Sequence, residues 1–225
     1  PEAHPFVRPP MTEQNSLARI LADLEDLSQV NADMNHTIES IARALFRSWF
    51  VDFVPVRAKM EGRPTGLPDD LAALFPDRLV DSPMGDVPEG WRPGTLGEVV
   101  SEIRELVEPS EIDRSTRYIG LEHMPRGSIA LADWGTAADV ESGKLRFEPS
   151  DILFGKLRPY FRKVGSPGFE GVCSSDIIVT RAVHEDLFGF TLMHLSSQSI
   201  FHYTDGFSTG TPPPGLHRAV FPRSG

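Results

Sequence analysis

Residues 14–50 read QNSLARILADLEDLSQVNADMNHTIESIARALFRSWF, a run with neither glycine nor proline. Its apolar residues recur every seven. One series is Leu17, Leu24, Asn31, Ile38 and Leu45. The other is Ile20, Leu27, Met34, Ile41 and Ser48, and eight of these ten positions are apolar. That is the spacing of the a and d positions of a coiled-coil seam. At about 1.5 Å of rise per residue, Leu17 to Leu45 spans roughly 42 Å. A helix this long and narrow buries its stripe only against something else, either a partner helix or the surface of its own domain. Asn31 occupies an a position, where a polar residue costs stability but fixes register and partner number. The expected interface therefore comprises Leu17, Ile20, Leu24, Leu27, Asn31, Met34, Ile38, Ile41 and Leu45. An aromatic cluster, Phe46, Trp49, Phe50 and Phe53, closes the run, and Pro55 is expected to stop the helix behind it.

Past the helix the pattern changes. Residues 54–88 carry repeated breakers: Pro55, Gly62, Pro64, Gly66, Pro68, Pro76, Pro83, Gly85 and Pro88. This reads as a linker anchored by Leu71, Leu74, Phe75 and Leu79, with a short helical turn at 69–74. From Trp91 onward, short apolar runs alternate with turn residues. Strands are expected at 95–99, 117–120, 152–155, 160–164 and 176–180, and helices at 186–195 and 197–203. The fold class is α+β: a long coiled-coil-type helix followed by a mixed α/β domain.

Composition narrows the function classes. Hydrophobic residues make up 40% and charged residues 24%, the balance of a soluble globular chain. No stretch approaches the roughly 20 apolar residues a membrane span needs. Pro1-Glu-Ala-His-Pro5 has neither a basic start nor an apolar run, so no secretory signal is expected. The chain starts without Met, which reads as a fragment boundary. Cys173 is the single cysteine, so no internal disulfide can form, and a reducing cytoplasm is the expected location. The net charge of −10 counts against nucleic-acid binding, whose usual footprint is basic. That charge is unevenly spread. Between residues 13 and 40, Glu13, Asp23, Glu25, Asp26, Asp33 and Glu39 face only Arg19. Between residues 144 and 163 the balance reverses: Lys144, Arg146, Lys156, Arg158, Arg162 and Lys163 face Glu148 and Asp151.

No catalytic constellation stands out. Gly143-Lys144 is followed by Leu145 and lacks the first glycine of a P-loop. No glycine-rich dinucleotide or methyl-donor motif and no His-Glu-x-x-His zinc pair is present, and the seven histidines are scattered. Cys173, in Gly171-Val-Cys-Ser-Ser175, reads as a small buried residue entering a strand rather than a nucleophile. Glu148 and Asp151 near Lys156 lack the acid-x-Lys spacing of a metal nuclease. No catalytic residue, metal or cofactor is expected. The most informative stretch is Asp151-Ile-Leu-Phe-Gly-Lys-Leu-Arg-Pro-Tyr-Phe-Arg-Lys163, where bases and aromatics alternate around a glycine and a proline. Lys156, Arg158, Arg162 and Lys163 can neutralise phosphates. The Arg158 fork also matches guanine O6 and N7. Tyr160 and Phe161 can pack beneath the bases or stack. From the residues alone, a DNA contact and an ordinary charged hairpin remain equally open.

Several segments resemble one family. Leu45-Phe-Arg-Ser-Trp-Phe-Val-Asp-Phe53 and Pro55-Val-Arg-Ala-Lys-Met-Glu-Gly-Arg63 resemble the segment that follows the spacer helix of type I restriction-modification specificity (S) subunits. Leu79-Val-Asp-Ser82, Pro88-Glu-Gly-Trp91 and Thr95-Leu-Gly97 resemble the entry to their target recognition domain. Tyr118-Ile-Gly-Leu-Glu-His-Met124, Asp151-Ile-Leu-Phe-Gly-Lys-Leu-Arg-Pro-Tyr160 and Ser208-Thr-Gly-Thr211 resemble its interior. Pro9-Pro-Met-Thr-Glu-Gln14 resembles the segment opening the helix after such a domain.

The resemblance implies a non-catalytic subunit in which recognition domains, held apart by helices, each read half of a split site in double-stranded DNA. The helices dock methyltransferase (M) subunits, which bring the restriction (R) subunits; S-adenosylmethionine, ATP and magnesium belong to those partners. It divides the chain into a remnant of a preceding recognition domain (1–13), the spacer helix (14–53), a linker (54–88), one recognition domain (89–211) and a tail (212–225). The expected DNA contacts are Lys156, Arg158, Tyr160, Arg162 and Lys163, with Thr116, Arg117 and His123 near strand ends. Pro212-Pro-Pro-Gly-Leu-His-Arg-Ala-Val-Phe-Pro-Arg-Ser-Gly225 departs from the family pattern and reads as an aberrant or disordered tail left by a shifted frame or truncation. Two alternatives stay open: a coiled-coil assembly module whose globular domain binds protein, or an inactive truncated remnant. Homodimerisation through 17–45 would restore two recognition domains.

Overall fold

The computed structural model describes residues 9–83, 85–156, 162–201 and 218–222, the last as backbone only. The fold is α+β, and the chain divides into two compact units, residues 1–40 and 41–225. Helix α1 runs Met11–Phe50. Within the first unit its polar residues return hydrogen bonds to the helix. The hydroxyls of Ser16, Thr37 and Ser40 donate to the carbonyls of Thr12, Asp33 and His36 at 3.0, 2.8 and 2.8 Å, and Gln29 Nε2 donates to Asp33 Oδ1 at 2.9 Å. Each of these hydroxyls shares a carbonyl that the helix backbone also uses, which satisfies the side chain at a small cost to the helix. The heptad residues of this unit point outward. Leu17, Ile20, Leu24, Leu27, Met34 and Ile38 are 53–58% exposed, and Asn31 is exposed among them.

The second unit begins with the last turns of α1, which are tied down by rings. Phe46 lies 5.5 Å from Phe190, centroid to centroid, and Phe50 meets Phe190 edge-on at 5.1 Å and Trp91 at 5.7 Å. Trp49 meets Phe75 edge-on at 5.7 Å, and Trp91 meets Phe53 edge-on at 6.0 Å. Tilted and edge-on pairs place the positive rim of one ring on the negative face of another. Phe53 reverses the chain at φ 51°, and α2 (Val54–Met60) starts immediately after it. Pro55 therefore opens a helix as well as following one, because a proline in the first helical turn gives up no hydrogen bond. Helix α3 (Asp69–Ala73) follows, then strands β1 (Leu79–Val80) and β2 (Val87–Pro88), paired antiparallel. Residues 54–88 are thus organised around a core that buries Phe53, Val56, Phe75, Val87 and Trp91.

Strand β3 (Trp91–Thr95) ends in a 3-10 turn, Leu96–Glu98, where a strand over 95–99 was expected. The cause is a capping box: the Thr95 N–H donates to Glu98 Oε1 at 2.8 Å while the Thr95 side chain caps the turn. The remaining strands are β4 (Val100–Ile103), β5 (Leu106–Val107), β6 (Arg117–Ile119), β7 (Gly135–Thr136), β8 (Lys144–Phe147), β9 (Ile152–Gly155), β10 (Val164–Gly165), β11 (Gly171–Cys173) and β12 (Ile177–Ala182). Helix α4 (Phe188–Leu195) comes next, and residues 198–201 are again helical. Strand β13 (Arg218–Pro222), within the segment read as an aberrant tail, pairs antiparallel with β3. The strand expected at 160–164 is observed only as Val164–Gly165; 160 and 161 lie outside the described residues, as do 202 and 203 of the second expected helix.

Two sheets carry the domain. One has the order β10-β9-β12-β4 and the other β5-β8-β11-β6-β7, in which β11 runs parallel to β6 and antiparallel to β8. Strand β9 is buried on both faces, and its alternation divides two cores. Leu153 joins Ile119, Phe147, Cys173, Ile177 and Val179, whereas Ile152 and Phe154 join Leu192, Leu195, Ile200 and Phe201 around α4. Asp151, at the head of β9, is fully buried. It accepts from Arg181 Nε at 2.6 Å, Arg181 Nη2 at 3.0 Å and the Glu148 N–H at 2.7 Å. A buried carboxylate satisfied this completely serves the fold, fixing the start of β9 against β12.

Asp151→Asn removes the charge that Arg181 faces and is expected to cost about 1–3 kcal/mol in a denaturant titration; an unchanged midpoint would contradict the role given to Asp151. His194 stacks on Phe190 at 5.8 Å and meets Phe46 edge-on at 6.1 Å, and burial there pushes its pKa below 6.5. The unfolded chain then binds more protons than the folded one, so this contribution is complete above about pH 6.5 and is lost as the pH falls below it. His194→Phe should flatten the fall in urea midpoint between about pH 7.5 and pH 5.5. An identical slope in both proteins would remove His194 as its source.

Candidate nucleic-acid interface

The basic segment 144–163 is split by the fold. Lys144 and Arg146 sit on β8, where Lys144 is buried with its Nζ donating to the Ser142 carbonyl at 3.0 Å and hydroxyl at 2.7 Å, and Arg146 pairs with Glu105 at 2.9 Å. Lys156, Arg162 and Lys163 flank the connection between β9 and β10, whose antiparallel register sets Phe154 opposite Val164. The Gly155 N–H donates to the Lys163 carbonyl at 2.9 Å, which closes the base of this hairpin.

Each of the three bases is held differently. Lys156 is exposed; its N–H donates to the Asp176 carbonyl and its Nζ to the Ser175 carbonyl, both at 2.8 Å. Lys163 is half-buried, with its Nζ donating to the Leu121 carbonyl. Burial, reinforced by nearby Arg126 and opposed by Glu122, lowers its pKa. Its ammonium props the 121–127 loop against the hairpin. Arg162 is exposed and takes a left-handed φ of 49°, rare for a residue with a Cβ, while its carbonyl accepts the Gly127 N–H at 3.2 Å. That bond brings exposed Arg126 beside the hairpin. Sequence reading passed over Arg126, although Pro125-Arg126-Gly127 carries the signal of a turn with a cation at its tip. Arg158, Tyr160 and Phe161 lie outside the described residues.

Of the other candidates, His123 belongs to the 121–127 loop beside the hairpin and Arg117 to β6. Arg117, on β6, lies over two rings, 5.1 Å from the Trp134 centroid and 4.7 Å from that of Phe169. With Thr116 it lines a cleft of about 710 Å³ walled by Glu105, Glu111, Asp113, Glu148 and Glu170, a lining that includes neither Lys156 nor Arg162. Those carboxylates oppose a phosphate there. His123 is turned inward: its Nδ1 accepts the Gly120 N–H at 2.9 Å, and its ring meets Tyr118 edge-on at 6.0 Å. Cys173 is fully buried, and burial pushes its thiol up to about 12, so it is no nucleophile. Among the described residues, no group of three or more His, Cys, Asp or Glu side chains is set to hold a metal ion, and no helix is long and apolar enough to cross a membrane.

No family model matches the chain. Over 66 residues it is 42% identical to the type I restriction enzyme HindI specificity subunit of Haemophilus influenzae, which is 29% of this chain and 14% of that protein. Over 154 residues it is 27% identical to the type I restriction enzyme MjaIX specificity subunit of Methanocaldococcus jannaschii, 66% of this chain and 32% of that protein. The chain thus spans well under half the length of either curated relative. Among solved structures, the HsdS subunit from Thermoanaerobacter tengcongensis is 17% identical with a TM-score of 0.39, covering 95% of this chain and 47% of that one. A structure described as showing complex assembly and conformational transition of the type I R-M system is 16% identical with the same TM-score, again over 95% and 47%. By its sequence, the chain is related to the specificity subunits of type I restriction enzymes.

Proposed function

We propose that this chain is the DNA-reading component of a type I restriction-modification assembly, with residues 89–211 as one target recognition domain and no catalysis of its own. The observation that carries the reading is the placement of Lys156 and Arg162: two exposed cations at the two ends of one hairpin connection, in a chain of net charge −10. Sequence kinship with specificity subunits supports it. Lys156, Arg162 and, between them in sequence, Arg158 make the phosphate contacts that set position; Arg158 and Tyr160 are the members able to read or stack on a base. Lys163 supports the hairpin from beneath, and Arg117 and His123 act outside this contact. Methyltransferase subunits, and through them restriction subunits, are the protein partners, and the cytoplasm is where they and the DNA meet.

The apolar stripe of α1 favours a helical partner. Six heptad residues of the first unit, each 53–58% exposed, need a cover, and a methyltransferase subunit or the same helix of a second copy can supply it. A monomer by sedimentation at micromolar concentration, combined with co-purification of the methyltransferase subunit, assigns the stripe to that subunit; a dimer assigns it to self-pairing.

The DNA contact is tested by charge reversal in the presence of the methyltransferase subunit. Lys156→Glu and Arg162→Glu should each weaken binding to duplexes of any sequence by about tenfold at low salt and reduce the salt slope by about one. Wild-type affinity for both variants would reject the hairpin as the contact.

A further inference from the structure

Arg43 lies in the last turns of α1, half-buried, and its guanidinium bridges two distant loops. Nη2 donates to the Gly127 carbonyl at 3.0 Å and Nη1 to the Ser196 carbonyl, just past α4, at 3.3 Å. Gly127 in turn donates its N–H to the Arg162 carbonyl at 3.2 Å. A chain of hydrogen bonds therefore runs from the end of the helix, through one glycine, to the residue at the edge of the cationic hairpin. Both linked backbones are unusual. Gly127 has φ +72° and Arg162 has φ 49°. Glycine takes that conformation freely, but an arginine does so at a cost of about 1 kcal/mol or more, and it persists only where its surroundings over-determine it. The Gly127 bond is one such constraint on Arg162, and Arg43 holds Gly127. The planar fork of arginine suits this task, since it presents fixed donors to two acceptors at once, which the point-like ammonium of lysine does not.

We infer that Arg43 is a positioning residue: through Gly127 it holds Arg162 in its left-handed conformation and so sets where the cationic hairpin stands against the end of α1. The part played in binding rests on the DNA reading of the hairpin given above; the mechanical part does not. Without the pin, Arg162 relaxes and its guanidinium no longer stands in a fixed place.

The test uses the full chain with its methyltransferase subunit and a random-sequence DNA duplex, in a cycle of Arg43→Met, Arg162→Ala and the double variant. Arg43→Met should weaken binding by about fivefold or more, and the double variant should bind about as weakly as Arg162→Ala alone, because Arg43 acts through Arg162. Arg43→Lys, which keeps the charge, should behave like Arg43→Met. Additive effects in the cycle, or full rescue by lysine, would make Arg43 a charge that acts on its own and would overturn the inference. A second arm needs no DNA: amide exchange of Gly127 in the full chain should speed up by about tenfold or more in Arg43→Met. Unchanged exchange overturns the inference even where the binding cycle agrees. If the unmutated chain binds no duplex, the DNA reading of the hairpin fails, and the Gly127 arm alone decides whether Arg43 is the pin.

Discussion

Phe50 sits between two rings, Phe190 at 5.1 Å and Trp91 at 5.7 Å, and this contact joins the last turns of α1 to the rest of their unit. Phe190 belongs to α4, whose other residues cover the β9 core, and Trp91 opens β3. One phenyl ring thus touches both α4, which packs on β9, and the first residue of β3. Each such pair contributes about 0.5–1.5 kcal/mol beyond area burial. The same segment carries Arg43, so the apolar and hydrogen-bonded ties to α1 come from neighbouring turns of one helix.

Charge is arranged to suit this scaffold. Many of the arginines are occupied by carboxylates: Arg47 with Asp52, Arg78 with Glu89, Arg92 with Glu98, Arg104 with Glu102 and Arg146 with Glu105. Glu98 is held so firmly by Arg92 and the Thr95 N–H that its carboxyl falls to about 2. At the hairpin the pattern differs. Lys156 and Lys163 donate to backbone carbonyls, which position an ammonium without cancelling its charge. A chain acidic overall can therefore present cations at the β9–β10 connection that, among the described residues, are not neutralised by a paired carboxylate.

The seven-residue repeat from Leu17 to Leu45 predicted the long helix because its signal is local and repeated. Strand 152–155 was legible for the same reason, a short apolar run bounded by Asp151 and Lys156. Pro55 lies beyond the end of α1, as its breaking character implies, and also serves the first turn of α2. Thr95-Leu-Gly-Glu98 reads as strand by its position but folds as a capped turn, and the Thr-x-x-Glu spacing carried that signal. The charge run 144–163 looked continuous in sequence, yet β8 and the β9–β10 hairpin belong to different sheets, so only Lys156, Arg162 and Lys163 share a location among its described members. Arg43 could not be read from sequence at all. Its acceptors are Gly127 and Ser196, the latter 153 residues away, and no spacing rule links residues at that distance.

We propose that the hairpin between β9 and β10 grips duplex DNA. Hydrogen–deuterium exchange of the chain with its methyltransferase subunit, with and without a duplex selected for tight binding from a random pool, reads this grip peptide by peptide. New protection should concentrate on the peptides spanning 156–163 and 126–127. Protection confined to the acidic cleft around Glu111 and Glu170, with none at the hairpin, would contradict it.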